Sequence, residues 1–488
     1  MRMDYFSGWL PGLVSAVLVS PISAQIVHEP CYVDGMSQQL QCGTLAVPLG
    51  ADGGAEIELA FTLIQANPEQ RSGDAVLVLA GGPGQGARDL VAGLGGNLNV
   101  ATLQRDLVFV DVRGTGESAA LTCPAVDMTV QDFEATVRHV RDCRLALEFQ
   151  PEHFTSLQYV TDLERVRQAF GYRQWNLLGG SYGTRLAQLY MREHPEAIRS
   201  AVLDSIAPLD EVIGARMGAD ADSALERLFR RCESEPACRE AFPELRAGFA
   251  DTLERLDGDP AQVRFRHPRN GEWQERALDR GNFASLVRVL LYSRDQHRVL
   301  PWLLDRAAIG EFEAFMATAT SVEEGLVDVM AMGVTANILC SEDIGRHGRE
   351  VVPEAEAESF LGTLQANFWL AVCDDWPRYP VPMDYDHPLE SAIPTLLVSG
   401  EMDPVTPPAY GERLLATLSN ARHVVLPGGG HTDAFRGGNC INRIVNQFIK
   451  EPDLQALDTT CVEKLGPRPF FTRATGFAVT DKMGGATQ

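Results

Sequence analysis

The sequence predicts an α/β fold, an open and mostly parallel central sheet flanked by helices and interrupted by a helical insertion. Short apolar runs alternate with helical periodicity as far as Pro208. The runs are apolar at successive positions, as strands covered on both faces must be. The rhythm then stops and resumes only at Pro394.

In chain order, two β-like runs, Gly43–Leu49 and Glu56–Gln65, flank an Asp-Gly-Gly turn. Ala75–Ala80 is an apolar strand that stops at glycines, and Asp106–Asp111 ends in a second Gly-rich turn. Helical spacing follows over Asp162–Phe170, with Thr161 as its expected N-cap. Trp175–Leu178 is a strand, Leu186–Arg192 a helix and Ser200–Asp204 a strand. Residues 209–388 are expected as a helical cap domain, with amphipathic stretches at Ala224–Arg230 and Phe283–Leu291. It would lie over the sheet edge where strand ends deliver chemistry. Strands Pro394–Ser399 and Arg422–Pro427 complete a core made of residues 25–208 and 389–461, and residues 462–488 read as an extended surface tail.

A chain of 488 residues allows two or three domains. With 45% hydrophobic and 22% charged residues it is neither disordered throughout nor a long coiled coil. Its formal net charge of -24, without basic clusters, excludes nucleic acid and anionic membrane surfaces as favoured partners.

An apolar stretch from Trp9 to Val19 precedes Ser20-Pro-Ile-Ser-Ala24, the build of a secretory signal peptide over residues 1–24. The alternatives are a buried N-terminal helix or a retained anchor. No later segment is apolar enough to span a membrane, so stable insertion after signal removal is not expected. All ten cysteines follow Ala24, which fits a secreted or periplasmic protein. Pairing them consecutively closes only short loops: Cys31–Cys42, Cys123–Cys143, Cys232–Cys238, Cys340–Cys373 and Cys440–Cys461. Free buried thiols remain the alternative for some of them.

The strongest motif is Gly179-Gly-Ser181-Tyr-Gly183, a G-x-S-x-G between a strand and a helix. Such a turn projects Ser181 Oγ above the sheet, over a helix N-terminus. A serine hydroxyl needs a base to take its proton. Two later strands end in Ser399-Gly-Glu-Met-Asp403 and Leu426-Pro-Gly-Gly-Gly-His431. His431 is the expected base and Asp403 its orienting carboxylate, with Glu401 as local rival. Gly81-Gly82-Pro-Gly84 lacks the lysine of a phosphate loop and the spacing of a dinucleotide loop. It reads instead as an oxyanion loop, with the N–H groups of Gly82 and Tyr182 as donors. Asp111 and Arg113 are expected to pair, or to bind backbone, and brace that loop. This machinery needs no metal and no organic cofactor.

With these motifs in place the chain resembles the alpha/beta-hydrolase superfamily. Within it, the secreted serine aminopeptidases of the prolyl and tripeptidyl (TAP-like) type are most similar. The resemblance rests on Gly81–Gly84, Asp111–Ser118, Gly179–Thr184, Asp403–Pro407 and the glycines before His431, with Ile338–Asp343 and Cys373–Pro377 resembling the tripeptidyl branch. Two positions depart from the prolyl pattern: Ala80 stands where His is usual, and Thr432 follows His431 where Gly is common. The resemblance implies a serine exopeptidase whose substrate is a peptide with a free N-terminus. A buried ammonium needs a carboxylate partner, and Glu342, then Asp343, are the expected ones. A carboxylesterase using the same triad is the alternative, and a non-catalytic binding protein the minor one. Oligomeric state is not legible.

Overall fold

The computed structural model describes residues 26–50, 54–98, 104–123, 133–147, 150–436 and 438–473. The leader expected over residues 1–24 lies outside them, as does the tail beyond 473. Among the described residues, no helix is long and apolar enough to cross a membrane.

Eleven strands are described: β1 (Val27–Cys31), β2 (Leu40–Pro48), β3 (Glu56–Ile64), β4 (Ala75–Leu79), β5 (Leu107–Val110), β6 (Trp175–Gly180), β7 (Ile198–Asp204), β8 (Ala261–Arg266), β9 (Trp273–Leu278), β10 (Thr395–Gly400) and β11 (Ala421–Leu426). Nine of them form one sheet in the order β1-β2-β3-β5-β4-β6-β7-β10-β11. The first three ladders are antiparallel, and all from β5 to β11 are parallel. Every residue of β4, β5, β6 and β10 is buried. Period-two geometry explains why these runs are apolar at most successive positions. Ala75, Leu77 and Leu79 face one core cluster, while Val76 and Val78 face the other.

On one side of the sheet lie helices Ser156–Phe170 and Tyr182–Glu193, and on the other the helix Asn439–Lys450. The latter buries Ile441, Ile444, Val445, Phe448 and Ile449, an i, i+3, i+4, i+7, i+8 stripe. The helix expected from Asp162 begins earlier, at Ser156. Its N-cap is Thr155, whose side chain accepts from Gln158 N at 3.0 Å. Thr161 sits inside the helix and donates to Leu157 O, so its capping role is corrected.

Between β7 and β10 the chain folds around a core of its own, rich in phenylalanine. The segment is not wholly helical, for β8 and β9 pair as an antiparallel hairpin. Alternation of buried Val263 and Phe265 with exposed Gln262, Arg264 and Arg266 is the strand signal that a helical reading passes over. Five disulfides join the cysteines consecutively, Cys31–Cys42, Cys123–Cys143, Cys232–Cys238, Cys340–Cys373 and Cys440–Cys461. The C-terminal segment is corrected too. It does not stay on the surface, because Phe470 is only 1% exposed and packs into the core of the inserted segment.

Candidate active site

Ser181 follows β6 with φ 55° and ψ -124°, a strained position for a residue with a side chain. Its N–H donates to Asp204 O at the end of β7, at 3.0 Å. Ser181 O accepts from the backbone and hydroxyl of Thr184 at 2.9 and 2.6 Å. Serine at an N-cap ordinarily bonds its own helix, yet here its hydroxyl makes no such bond. The neighbouring strand is so close that a Cβ on Gly183 would lie 2.2 Å from Leu79 O, which is why glycine stands there.

The Gly81–Gly86 loop runs beside this turn. A Cβ on Gly81 would meet Ser181 Cβ at 3.2 Å. Tyr182 is the first residue of its helix, so its N–H has no acceptor within the helix. The inserted segment holds the loop from above: Ala331 N donates to Gly84 O at 2.9 Å, and Thr335 Oγ1 to Pro83 O at 2.5 Å. Asp111 holds it from below by accepting from Arg88 N and Glu117 N at 3.0 Å each. Burial pushes the Asp111 carboxyl up, against those N–H groups. Arg113 does not pair with Asp111. It forms a two-pronged ion pair with Asp162 at 2.6 and 2.9 Å and donates to Pro48 O, Leu49 O and His153 O.

At the end of β10, Asp403 Oδ1 accepts from Val405 N at 2.8 Å and Thr406 N at 2.9 Å. Thr406 Oγ1 donates to Asp403 Oδ2 at 2.8 Å. His431 Nδ1 lies 3.0 and 2.9 Å from the two carboxylate oxygens. Burial alone would raise the Asp403 carboxyl, but the His431 charge and bond and the Thr406 and Val405 amides outweigh it, holding it below the ordinary range. Asp403 is therefore ionised and keeps the imidazole in one orientation. Glu401, the local rival, accepts from Gly428 N at 2.8 Å and so shapes the loop that carries His431.

Three groups near His431 had no motif to announce them. His431 N donates to Tyr292 O at 2.8 Å, and the Tyr292 ring meets the imidazole edge-to-face at 5.2 Å. Gly430 permits this, since a Cβ there would lie 2.4 Å from Tyr292 O. From β7, Ser205 Oγ accepts from Thr432 N at 2.8 Å, and Asp204 Oδ2 accepts from Ala434 N at 2.8 Å. Burial, then the charge of Asp433, raises the Asp204 carboxyl well above its usual range. Only the Asp403-to-Thr406 spacing carried a local signal, an aspartate bonding amides two and three residues on.

Glu342 needs correction, whereas Asp343 keeps one buried oxygen, Oδ2, without a hydrogen-bond partner among the described residues. Glu342 is 2% exposed and accepts from Ser156 N at 2.9 Å, from Ser156 Oγ, from Tyr379 OH at 2.5 Å and from Tyr385 OH. Four donors fill a carboxylate, so no place is left for an ammonium. Asp343 Oδ1 is bound to Arg185 at 2.5 Å and to Ile213 N at 2.9 Å. Burial raises its pKa to about 6 against the pull of Arg185. Both carboxylates tie the inserted segment to the sheet helices. His423 lies 2.9 Å from Ser399 Oγ. Among the described residues no group of three His, Cys, Asp or Glu is arranged to hold a metal ion.

A nine-stranded sheet with a serine turn after β6 and an Asp–His pair at the ends of β10 and β11 defines the alpha/beta-hydrolase class. Residues 74–267 match the family described as alpha/beta hydrolase fold, and residues 358–461 match that described as TAP-like protein. The chain has the alpha/beta-hydrolase fold, and its C-terminal part resembles the TAP-like group. It is similar to the putative hydrolase YuaR of Escherichia coli, 25% identical over 93% of this chain and 95% of that one. The serine protease Hip1 of Mycobacterium tuberculosis is 24% identical over 84% of each chain. The tripeptidyl aminopeptidase of Streptomyces lividans is 25% identical over 91% of this chain and 88% of its own.

Proposed function

We propose that this protein is a serine exopeptidase that releases N-terminal residues or short peptides from oligopeptides. The reading is carried by a Ser181 hydroxyl held in a strained turn after β6 and a buried Asp403–His431 couple on loops at the same carboxyl edge of the parallel sheet. In this reading Ser181 Oγ attacks the scissile carbonyl carbon as His431 takes its proton. Asp403 stabilises the imidazolium that results. Amides of Gly82 and Tyr182 receive the oxyanion, each such donor being worth about 3 kcal/mol in the transition state. His431 then passes its proton to the leaving amine, and water enters by the reverse route to free the acyl group. Similarity to a tripeptidyl aminopeptidase and a serine protease supports a peptide substrate. Five disulfides support export to the periplasm or medium.

The filled oxygens of Glu342 favour a second reading, a carboxylesterase with the same triad, because an esterase needs no ammonium partner. Matched free and N-acetylated peptides, assayed beside short acyl esters with product masses recorded, separate the two. An exopeptidase cleaves only the free peptides, releasing fragments of fixed size from the N-terminus. Equal cleavage of both peptide forms would sink the exopeptidase reading. A fluorophosphonate should label Ser181 in either case, and failure to label it would remove both.

A further inference from the structure

The inserted segment carries a buried cation that the chemistry above does not use. Arg288 lies on the helix Arg280–Leu290, one turn before Tyr292. It is 7% exposed, and its Nε and Nη2 are buried without a hydrogen-bond partner among the described residues. Other buried arginines are engaged with acceptors. Arg113 makes five bonds, and Arg185 binds Asp343, Pro208 O and Glu211 O. Glu356 feels the charge of Arg288 but makes no ion pair with it, spending its oxygens on Gly218 N and Ala219 N at 2.7 and 2.9 Å. An aromatic neighbour also compensates the cation: the guanidinium lies 5.4 Å from the centre of the Tyr292 ring. That ring is the one set against His431 at 5.2 Å.

A buried guanidinium with unmet donors is costly to the fold and calls for an explanation, a bound anion or ligand being one. The two unmet donors are themselves informative. Nε and Nη2 lie on one edge of the guanidinium fork, and their parallel N–H bonds match the two oxygens of a carboxylate. The two ring contacts place the guanidinium within roughly 11 Å of the imidazole. An extended peptide advances about 3.3–3.6 Å per residue, so the group reaches a position two to three residues from the reacting carbonyl. The protein's charge of -24 repels acidic substrates in general. A local receptor is what would admit one.

We propose that Arg288 binds a carboxylate of the peptide substrate, two to three residues from the scissile bond. This rests on the peptidase reading of the Ser181 site. Two sources share that chemistry, an Asp or Glu side chain and the C-terminal carboxylate of a short peptide.

The test compares wild-type protein on peptides with Glu or Gln at each position, and on short peptides ending in carboxylate or amide. At one register the carboxylate should lower KM about tenfold with little change in kcat. A Glu-against-Gln difference assigns the side chain as source, and an acid-against-amide difference assigns the terminus. Arg288→Gln should erase the preference while neutral peptides are still cleaved, and Arg288→Lys should restore part of it. Fluorophosphonate labelling of Ser181 at the wild-type rate checks that each variant is folded. The wild-type comparison stands even if the variants fail that check. Calorimetry on the Ser181→Ala protein reads the same preference as affinity, without turnover. Tighter binding of the carboxylate peptide there supports Arg288 recognition even if no peptide is cleaved, in which case only the peptidase reading falls. Absence of any carboxylate preference in both KM and affinity, or its full survival in Arg288→Gln, overturns the proposal.

Discussion

Two buried carboxylates, Asp403 in the loop after β10 and Glu342 in the inserted segment, are equally deep and equally saturated, yet they do opposite things. Asp403 takes its amide donors from residues two and three positions further on, and its remaining partners are the Thr406 hydroxyl and the His431 imidazole. Glu342 takes its donors from Ser156, Tyr379 and Tyr385, 186, 37 and 43 residues away in sequence. The first is a local turn that presents one oxygen edge to a base. The second is a knot that fastens separate segments together, with nothing left over for a ligand. Depth and charge alone do not mark a reactive carboxylate; what matters is whether its partner can move a proton.

The largest effect that sharpens this contrast is expected from Asp403→Asn. It keeps the loop's shape but removes the charge that orients His431, so turnover should fall by about 10³–10⁴-fold. Thermal stability should change little by comparison. A stopped-time assay beside a melting curve reads both, and a large drop in Tm with activity retained would reverse the roles assigned here. Glu342→Gln should show the opposite signature. Losing a charged acceptor that holds three hydroxyls and an amide should cost about 2–4 kcal/mol in denaturant unfolding. Turnover per folded molecule should stay within about tenfold of wild type.

A third effect concerns pH. Asp220 is mostly buried against Tyr410, whose hydroxyl donates to it at 2.7 Å, and burial raises its pKa to about 7. The folded protein then binds a proton there that the unfolded chain has released above pH 4. That contribution is complete below the unfolded pKa and is lost as pH rises to about 7. Asp220→Asn should flatten the fall in unfolding free energy between pH 5 and 8, by a few kcal/mol at most, and the fall in Tm with it. An unchanged slope would mean that other groups set it. The smallest effect belongs to Thr432, a β-branched residue held at φ 55° beside His431. Thr432→Gly should relieve about 1 kcal/mol of backbone strain and raise Tm slightly. A lower Tm would show that the Thr432 hydroxyl, which donates to His431 O, matters more than the strain.

Most of the sheet was legible because its signal is local. Fully buried strands such as β4, β6 and β10 are mostly apolar and stop at glycine turns, and the residues at those ends are the ones proposed for chemistry. The β8–β9 hairpin was harder to see, being short and enclosed by helices. Arg113 was expected to brace the oxyanion loop, but its partners are Asp162, 49 residues further along, and the carbonyls of Pro48, Leu49 and His153.

What the chain determined by itself is therefore the alternation of strand and helix, the sharp turn at Ser181 and the small loops that close Asp403 onto its own amides. Each depends on neighbours within a few residues, so backbone geometry and side-chain type suffice. Only the tertiary structure decided that Tyr292 seats the His431 loop, that Glu342 and Asp343 are fasteners, that Phe470 plugs the inserted segment and that Arg288 is left with open donors. These outcomes turn on which distant groups fill a donor or acceptor first, and desolvation makes that competition decisive in a buried interior.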